Sequence, residues 1–294
     1  MSENEGPWTQ HHAEATAAAH GLCARGAWDA LVDWASASTP AIPARAVRLA
    51  CAAVQFVVAG GPASTLGRLL DAGASPDTAD RELEGRALLD RCAADGRLEA
   101  VRLLLARGAA VEGAPWSDEF GRARPPLHAA LEGGHVEVAR ALLDAGADPN
   151  STDWADLPAL QQAIWADPPG LPALLELLLD RRANPNACPG GQFVEEPGPA
   201  LWTLLTAQLA HRGRHVAALP ALVELLLDRG ADPDGASPAD GSTPLHVVAR
   251  SGRDEQAGLV DLLRARGADL HRLDADGSAP IDLAATDAVA ARLE

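Results

Sequence analysis

The side chains best suited to chemistry in this sequence are carboxylates that lie near tryptophans. Asp153 and Asp156 flank Trp154, and Trp165 follows on the same stretch. A carboxylate against an aromatic surface has its pKa raised towards neutrality, which suits a general acid or base. Four carboxylates are the candidates for such work: Glu132, Asp153, Asp156 and Glu195. If the protein is an enzyme, these residues predict the acid-base chemistry of a cyclase, lyase or hydrolase.

The motifs that would make catalysis or metal binding specific are missing from the sequence. It has no phosphate-cradling glycine loop, nucleophile elbow, HExxH or CxxC. The histidine pairs His11–His12 and His211–His215 have no third ligand at a recognisable spacing. The cysteines are far apart: Cys23, Cys51, Cys92 and Cys188. We therefore expect no metal and no cofactor, and a non-catalytic role is favoured over an enzyme.

The charge balance restricts the partners. The chain carries 24 basic and 41 acidic residues, a net charge of -17, and every basic residue is Arg. This field repels phosphate backbones and anionic lipid and attracts a basic protein or a cation. We expect no nucleic-acid or membrane partner. The lack of long apolar runs and the acidic N-terminus predict a cytoplasmic protein, and the absence of Lys and Tyr is typical of a GC-rich bacterial genome.

The elements that position these residues come from an internal repeat. A short phrase, Gly-Ala-small-x-acidic or close to it, recurs directly after Leu-rich runs. Its copies begin at residues 73, 108, 146, 182, 230 and 267, so the spacings are 35, 38, 36, 48 and 37 residues. A near-constant period in this range is typical of a solenoid.

Each repeat predicts two helices. Apolar residues at helical spacing, such as Ala139, Leu142 and Leu143, precede the phrase, whose Gly can take a positive φ and end the helix. A shorter, Ala-rich helix lies before it and opens with Pro in its first turn, as at Pro126 and Pro244. Two such helices cannot bury their apolar sides alone, so neighbouring units must stack.

These residues closely resemble the ankyrin repeat. Pro125–Asn150 contains PLHAA, GHVEV and GADPN, and Thr243–Asp269 contains TPLH and RGAD. The resemblance implies an all-α ankyrin-repeat solenoid of stacked helix-turn-helix units, with β-turn fingers and a concave face. In the family the motif histidines, here His128 and His246, hydrogen-bond nearby turn backbone and are structural. Leu160-Gln161 and Leu201-Trp202 stand where other units have Leu-His, and we expect Trp202 to pack in the core.

The resemblance also divides the chain. Residues 1–37 are expected to form a degenerate N-terminal capping unit, and residues 278–294 a truncated C-terminal one. About six ankyrin-type repeats fill residues 38–277, with finger insertions near 112–124 and 187–198. The segment 41–77 keeps only the second half of the pattern. An extended first helix over Trp202–His211 accounts for the 48-residue spacing.

In ankyrin arrays partners sit on the fingers and the exposed side of the first helices. The resemblance places Trp154 and Leu157 on one finger and Trp165 on the helix that follows, and the insertion near 112–124 adds Trp116. Large apolar groups at such positions indicate a covered surface, and Trp is a favoured anchor. The full set expected at the partner site is Trp116, Arg122, Arg124, Glu132, Trp154, Leu157, Trp165, Glu195, Glu196 and Arg250.

Two functions stay open at this stage. The first is a non-catalytic scaffold that holds a protein or peptide in the groove as an inhibitor, immunity factor or adaptor, and the acidic charge of the chain favours a basic partner. Its tryptophans could instead fold onto the insertions as a local core, and its charged residues could be solvated surface. The alternative is a small-molecule pocket or unusual enzyme in the irregular central repeats, because fold does not fix function.

Overall fold

The computed structural model describes residues 7–37, 45–78, 87–113, 124–190, 197–210 and 213–294. These ranges are helical and contain no β-strand. The chain divides into two compact units. The first comprises residues 1–130 and 137–147, and the second comprises residues 131–136 and 148–294.

Helix pairs stack in the first unit. Its helices are α1 (Pro7–Ala24), α2 (Trp28–Ser36), α3 (Arg45–Ala59), α4 (Ala63–Asp71), α5 (Leu88–Ala94) and α6 (Leu98–Ala106). Each pair packs internally, α1 on α2, α3 on α4 and α5 on α6. First helices also pack on first helices (α1, α3, α5) and second on second (α2, α4, α6). The segment 41–77 thus supplies a complete helix pair, although its sequence shows only half the pattern.

The second unit repeats this arrangement. Helices α7 (Pro126–Glu132) and α8 (Val136–Asp144) precede it in the chain. Its own helices are α9 (Ala159–Ala166), α10 (Leu171–Asp180), α11 (Ala200–Leu205), α12 (Leu219–Asp228), α13 (Pro244–Arg250), α14 (Gly258–Ala265) and α15 (Asp287–Leu293). The first helices α9, α11 and α13 pack in series, as do the second helices α10, α12 and α14. A 3₁₀ turn, Pro280–Leu283, packs on α13, and α15 packs on α14.

The predicted helix stops are confirmed. The glycine that opens the phrase has a positive φ in five copies: Gly73, Gly108, Gly146, Gly230 and Gly267. In the sixth copy Arg182 occupies this position with φ 67°. Glycine adopts such a φ without the steric cost that a Cβ brings, so these five helices end there without strain and the one before Arg182 does not.

The last residue of the phrase links successive repeats. Asn150 Oδ1 accepts a hydrogen bond from the amide of Asn184 at 2.7 Å. Asn186 Oδ1 likewise accepts from the amide of Asp232 at 2.8 Å, and Asp234 Oδ1 accepts from the amide of Asp269 at 2.9 Å. The acidic or amide residue recurs because its acceptor oxygen satisfies a backbone donor of the next repeat.

The extended first helix that the sequence predicts over Trp202–His211 differs in the structure. The helix continues beyond Leu205, but Thr206–Ala210 is a π-helical turn. The buried Gln208 side chain accounts for part of this change: its Nε2 donates to Asp167 Oδ1 at 2.8 Å, and its Oε1 accepts from the amide of His215 at 2.8 Å. The extra residues are therefore absorbed as a wider turn tied to the preceding repeat.

Candidate partner-binding site

Trp154 lies on a finger whose shape is set by Asp153. The Asp153 amide donates to Leu157 O at 3.2 Å, and its Oδ1 accepts from the amides of Ala155 at 2.8 Å and Leu157 at 3.0 Å. Asp156 sits at φ 56°, the left-handed conformation that closes the turn. The Trp154 side chain is 43% exposed, which is high for a large apolar residue, while Leu157 is half-buried. The turn thus presents an indole on a backbone held by its own hydrogen bonds.

A second set of residues lies at equivalent positions of successive repeats, at the end of the first helix. In four successive repeats, the residue four places after the position of the motif histidine is Glu132, Trp165, Thr206 or Arg250. Each lies at the end of the first helix of its repeat, or immediately after it for Thr206. Glu132 and Arg250 are exposed, Trp165 is half-buried and Thr206 is buried. Three of the four, Glu132, Trp165 and Arg250, were expected at the partner site, and that role stays a prediction.

Arg250 is held by two carboxylates. Its Nη2 donates to Asp274 Oδ2 at 2.8 Å and its Nη1 to Asp240 Oδ2 at 3.3 Å. The backbone amides of Ser278 and Asp276 hold the pKa of Asp274 below its usual value, although burial opposes them. Burial also opposes ionisation of Asp240, but hydrogen bonds from Ser242 and Arg250 still lower the pKa of Asp240. Both acids are therefore charged at neutral pH and fix the guanidinium.

Trp202 connects this cluster to the repeat before it. The ring is buried as expected, with 5% of the residue exposed, and its Nε1 donates to Ser242 Oγ at 3.0 Å. The Ser242 hydroxyl donates in turn to Asp240 Oδ1 at 2.6 Å. These residues border a cavity of about 610 Å³ between the π-turn, the finger at 237–242 and α13.

Only some of the residues expected at the catalytic and partner-binding sites lie in the part of the chain that the structure describes. Four of the expected residues lie outside the described residues: Trp116, Arg122, Glu195 and Glu196. Arg124 is half-buried and Glu132 exposed. Of the candidate acids, Asp153 has its Oδ1 engaged by two backbone amides and Asp156 is exposed in a turn. Their catalytic role stays a prediction.

His246 and His215 contact backbone groups, and Cys23 and Cys92 are buried thiols. His246 Nδ1 accepts from the amide of Thr243 at 3.0 Å, so its Nε2–H donates to Ser278 O, also at 3.0 Å. His215 Nε2 lies 2.8 Å from Pro168 O. Burial raises the pKa of Cys23 to about 11 and, as the largest of several effects, that of Cys92 to about 12. These two thiols are therefore protonated at neutral pH.

The described residues contain neither a metal-binding cluster nor a membrane-spanning helix. No three His, Cys, Asp or Glu side chains there are grouped closely enough to hold a metal ion. None of the helices in the same ranges is both long and apolar enough to cross a membrane.

Stacked helix pairs, glycine-terminated second helices and hydrogen-bonded fingers define a repeat protein, and the comparisons agree. The family described as ankyrin repeats (3 copies) matches residues 51–153 and 89–188, and the single ankyrin repeat matches residues 240–275. Together these matches cover more than half of the sequence. The chain belongs to the ankyrin-repeat family.

Solved structures agree on the fold. The ankyrin repeat domain of Bcl-3, an IkappaB family member, is 24% identical with a TM-score of 0.63, covering 83% of this chain and 96% of that one. The human ASB11 ankyrin repeat domain is 25% identical with a TM-score of 0.60, covering 83% and 95%. A chain from the complex of the Bdellovibrio bacteriovorus endopeptidase Bd0816 with immunity protein Bd3460 is 24% identical with a TM-score of 0.53, covering 70% and 95%. No curated protein matches significantly.

Proposed function

We propose that this protein is a non-catalytic scaffold that holds a protein or peptide partner against its fingers and the ends of its first helices. The observation that carries the proposal is Trp154, an indole 43% exposed on a turn fixed by Asp153. An exposed Trp on a rigid support contributes binding area while little conformational entropy is lost on association. Trp165, half-buried at the end of α9, is the second indole assigned to the proposed surface.

The charge of the chain supports a basic partner. With a net charge of -17, the protein attracts positively charged surfaces at long range and accelerates their association. An exposed indole also attracts a Lys or Arg side chain through its π face. We therefore propose that the partner places a basic residue near Trp154. Inhibitor, immunity factor and adaptor are all compatible with this mode of binding.

The experiment compares wild type with a Trp154→Ala, Trp165→Ala double variant. Both are immobilised and exposed to lysate of the source organism, and the retained proteins are identified by mass spectrometry. A candidate is then purified and its Kd measured at low and high salt. We expect the double variant to bind about 1,000-fold more weakly, since each of two hot-spot residues contributes about 2 kcal/mol.

Leu273→Ala is the matched control for nonspecific adhesion. Leu273 is 59% exposed, more than Trp154, but lies on the last finger. Its removal is expected to leave the Kd of the partner unchanged. Equal binding by wild type and the Trp double variant, with both folded by circular dichroism, would refute the proposed surface.

A further inference from the structure

The cavity beside Trp202 has properties that the partner surface does not explain. Its volume, about 610 Å³, falls in the range of small-ligand sites. Apolar side chains of Trp202, Leu209 and Val247 form part of its wall, and Thr206, Asp240 and Arg253 also line it. A ligand that fills it therefore needs an apolar stem and a polar end.

Thr206 supplies an unsatisfied hydroxyl. The residue is 5% exposed, and its Oγ1 has no hydrogen-bond partner among the described residues. Leaving a buried hydroxyl unpaired costs about 1–3 kcal/mol, so such groups are uncommon in folded proteins. Thr206 also opens the π-turn, and single π-turns occur frequently at functional sites. The oxygen is enclosed in the present rotamer, so a ligand removes this cost when the Thr206 side chain rotates about Cα–Cβ and turns its hydroxyl towards the cavity.

Arg253 supplies a positive charge to the cavity, and its guanidinium has no counter-ion among the described residues. Its Nη2 donates to Leu209 O at 3.0 Å, and no carboxylate pairs with it in the part of the chain that the structure describes. Arg250, on the same cavity, is already neutralised by Asp240 and Asp274. The guanidinium of Arg253 therefore keeps most of its N–H donors for a ligand.

The balance of donors and charges selects the ligand. Asp240 Oδ1 already accepts hydrogen bonds from Ser242 N and Oγ, and Asp240 Oδ2 accepts from Arg250. Few acceptors therefore remain for a cationic ligand, and the guanidinium groups of Arg250 and Arg253 repel a cation. A dianion such as phosphate is disfavoured by Asp240 and by the net charge of -17. Arginine binds a carboxylate with two parallel hydrogen bonds. A single carboxylate matches both Arg253 and the Thr206 hydroxyl.

We propose that this cavity binds a monocarboxylate on an apolar stem, with Arg253 pairing to the carboxylate and the Thr206 hydroxyl donating to it. The stem lies against Trp202, Leu209 and Val247. Neither Trp154 nor Trp165 lines this cavity, and its existence does not depend on the proposed scaffold function.

The test uses four probes and the indole N–H of Trp202. Hexanoate and its amide differ only in the carboxylate, and so do N-acetyl-Ala-Ala-Leu and its C-terminal amide. Each is titrated into ¹⁵N-labelled protein, and the Trp202 Nε1–H signal, assigned with Trp202→Phe, is followed. Both acids shifting the signal supports the site and indicates a free small acid as ligand. The peptide acid alone shifting it supports the site and indicates a chain terminus. Amides that bind as well as the acids overturn the proposal.

Two variants separate binding from folding. Thr206→Val preserves shape and removes the unpaired hydroxyl, so we expect higher thermal stability together with about tenfold weaker binding of the acid. Arg253→Gln keeps a donor for Leu209 O and is expected to weaken binding by at least about tenfold. Arg272→Gln makes the same charge change at an exposed residue outside the cavity and is expected to bind like wild type. Thr206→Val that binds the acid as well as wild type does would overturn the proposal even if Arg253→Gln fails to fold.

Discussion

Trp202 and His246 occupy the same position of successive repeats, and each donates from a ring nitrogen to the finger that follows it. Trp202 Nε1 donates to Ser242 Oγ at 3.0 Å and His246 Nε2 to Ser278 O at 3.0 Å. Gln161, at the same position one repeat earlier, donates from Nε2 to Ala187 O at 2.5 Å. Three different side chains thus make one inter-repeat contact.

Trp202→Phe is predicted to destabilise the protein by about 1–3 kcal/mol. The change removes the N–H and leaves Ser242 Oγ without its donor in a buried setting, and it also removes ring volume from the core. The measurement is the free energy of unfolding from urea denaturation followed at 222 nm. Trp154→Phe is the control, because Trp154 is 43% exposed, and its change is expected to stay within about 0.5 kcal/mol. Equal stability of Trp202→Phe and wild type would show that the contact contributes nothing.

The residue three positions before the position of the motif histidine offers a backbone donor in some repeats and not in others. Thr243 and Ala279 have amides, and His246 and Asp282 accept hydrogen bonds from them. Pro158 and Pro199 begin the corresponding turns for Gln161 and Trp202, and proline has no N–H to donate. Where proline stands there, no amide needs an acceptor, and the position of the motif histidine is Gln161, Trp202 or, after Pro125, still His128.

The fold could be predicted from sequence because its signals are local. A glycine after an apolar helical pattern predicts a helix end, and a proline before one predicts a helix start. The positive φ values of Gly146 and Gly230 confirm two of these helix ends. The cavity could not be predicted, because it depends on the π-turn at Thr206–Ala210 and on the Gln208–Asp167 contact across 41 residues. Likewise, the buried pairing of Asp274 with Arg250 joins residues 24 apart, and Arg250 alone reads as a surface charge.

Arg182→Gly is predicted to stabilise the protein by about 1 kcal/mol. Arg182 holds φ 67° at the position where the other copies of the phrase have glycine, and a Cβ in this conformation costs about 1–2 kcal/mol, partly offset by the entropy of glycine in the unfolded chain. Its carbonyl still accepts from Asn150 Nδ2 after the change. The measurement is the urea midpoint.

Gly230→Ala is the reciprocal variant. Gly230 has φ 89°, and a Cβ there meets nothing within 4 Å, so only backbone strain is added. We expect a loss of about 1 kcal/mol or more. A gain from Gly230→Ala would contradict the conformational explanation for both positions.

Asn186→Ala is predicted to lower the free energy of unfolding by about 1–3 kcal/mol. Asn186 Nδ2 donates to Gly230 O at 2.8 Å and its Oδ1 accepts from the amide of Asp232 at 2.8 Å, so truncation removes two bonds between adjacent repeats. Glu176→Ala, at an exposed site on α10, is the control and is expected to change stability by no more than about 0.5 kcal/mol. A loss no larger than that of Glu176→Ala would show that the link is not stabilising.

Acid is predicted to weaken the second unit through Asp274 and Asp240. Hydrogen bonds from backbone amides and from Ser242 and Arg250 hold the pKa of both acids below the ordinary value of 3.8. A lowered folded-state pKa means that the folded protein binds fewer protons than the unfolded chain. The resulting stability is therefore full above the unfolded pKa and is lost as pH falls through the folded pKa.

Asp274→Asn tests this pH dependence. Urea unfolding is measured between pH 6 and pH 3 for the variant and for wild type. The variant is expected to be less stable at pH 6, because Arg250 loses a charged partner, and to lose less stability on acidification, because one titrating group is absent. The two curves should therefore converge towards pH 3. Parallel curves would show that Asp274 has the same pKa in the folded and unfolded chain, and the ion pair with Arg250 would then contribute no pH-dependent stability.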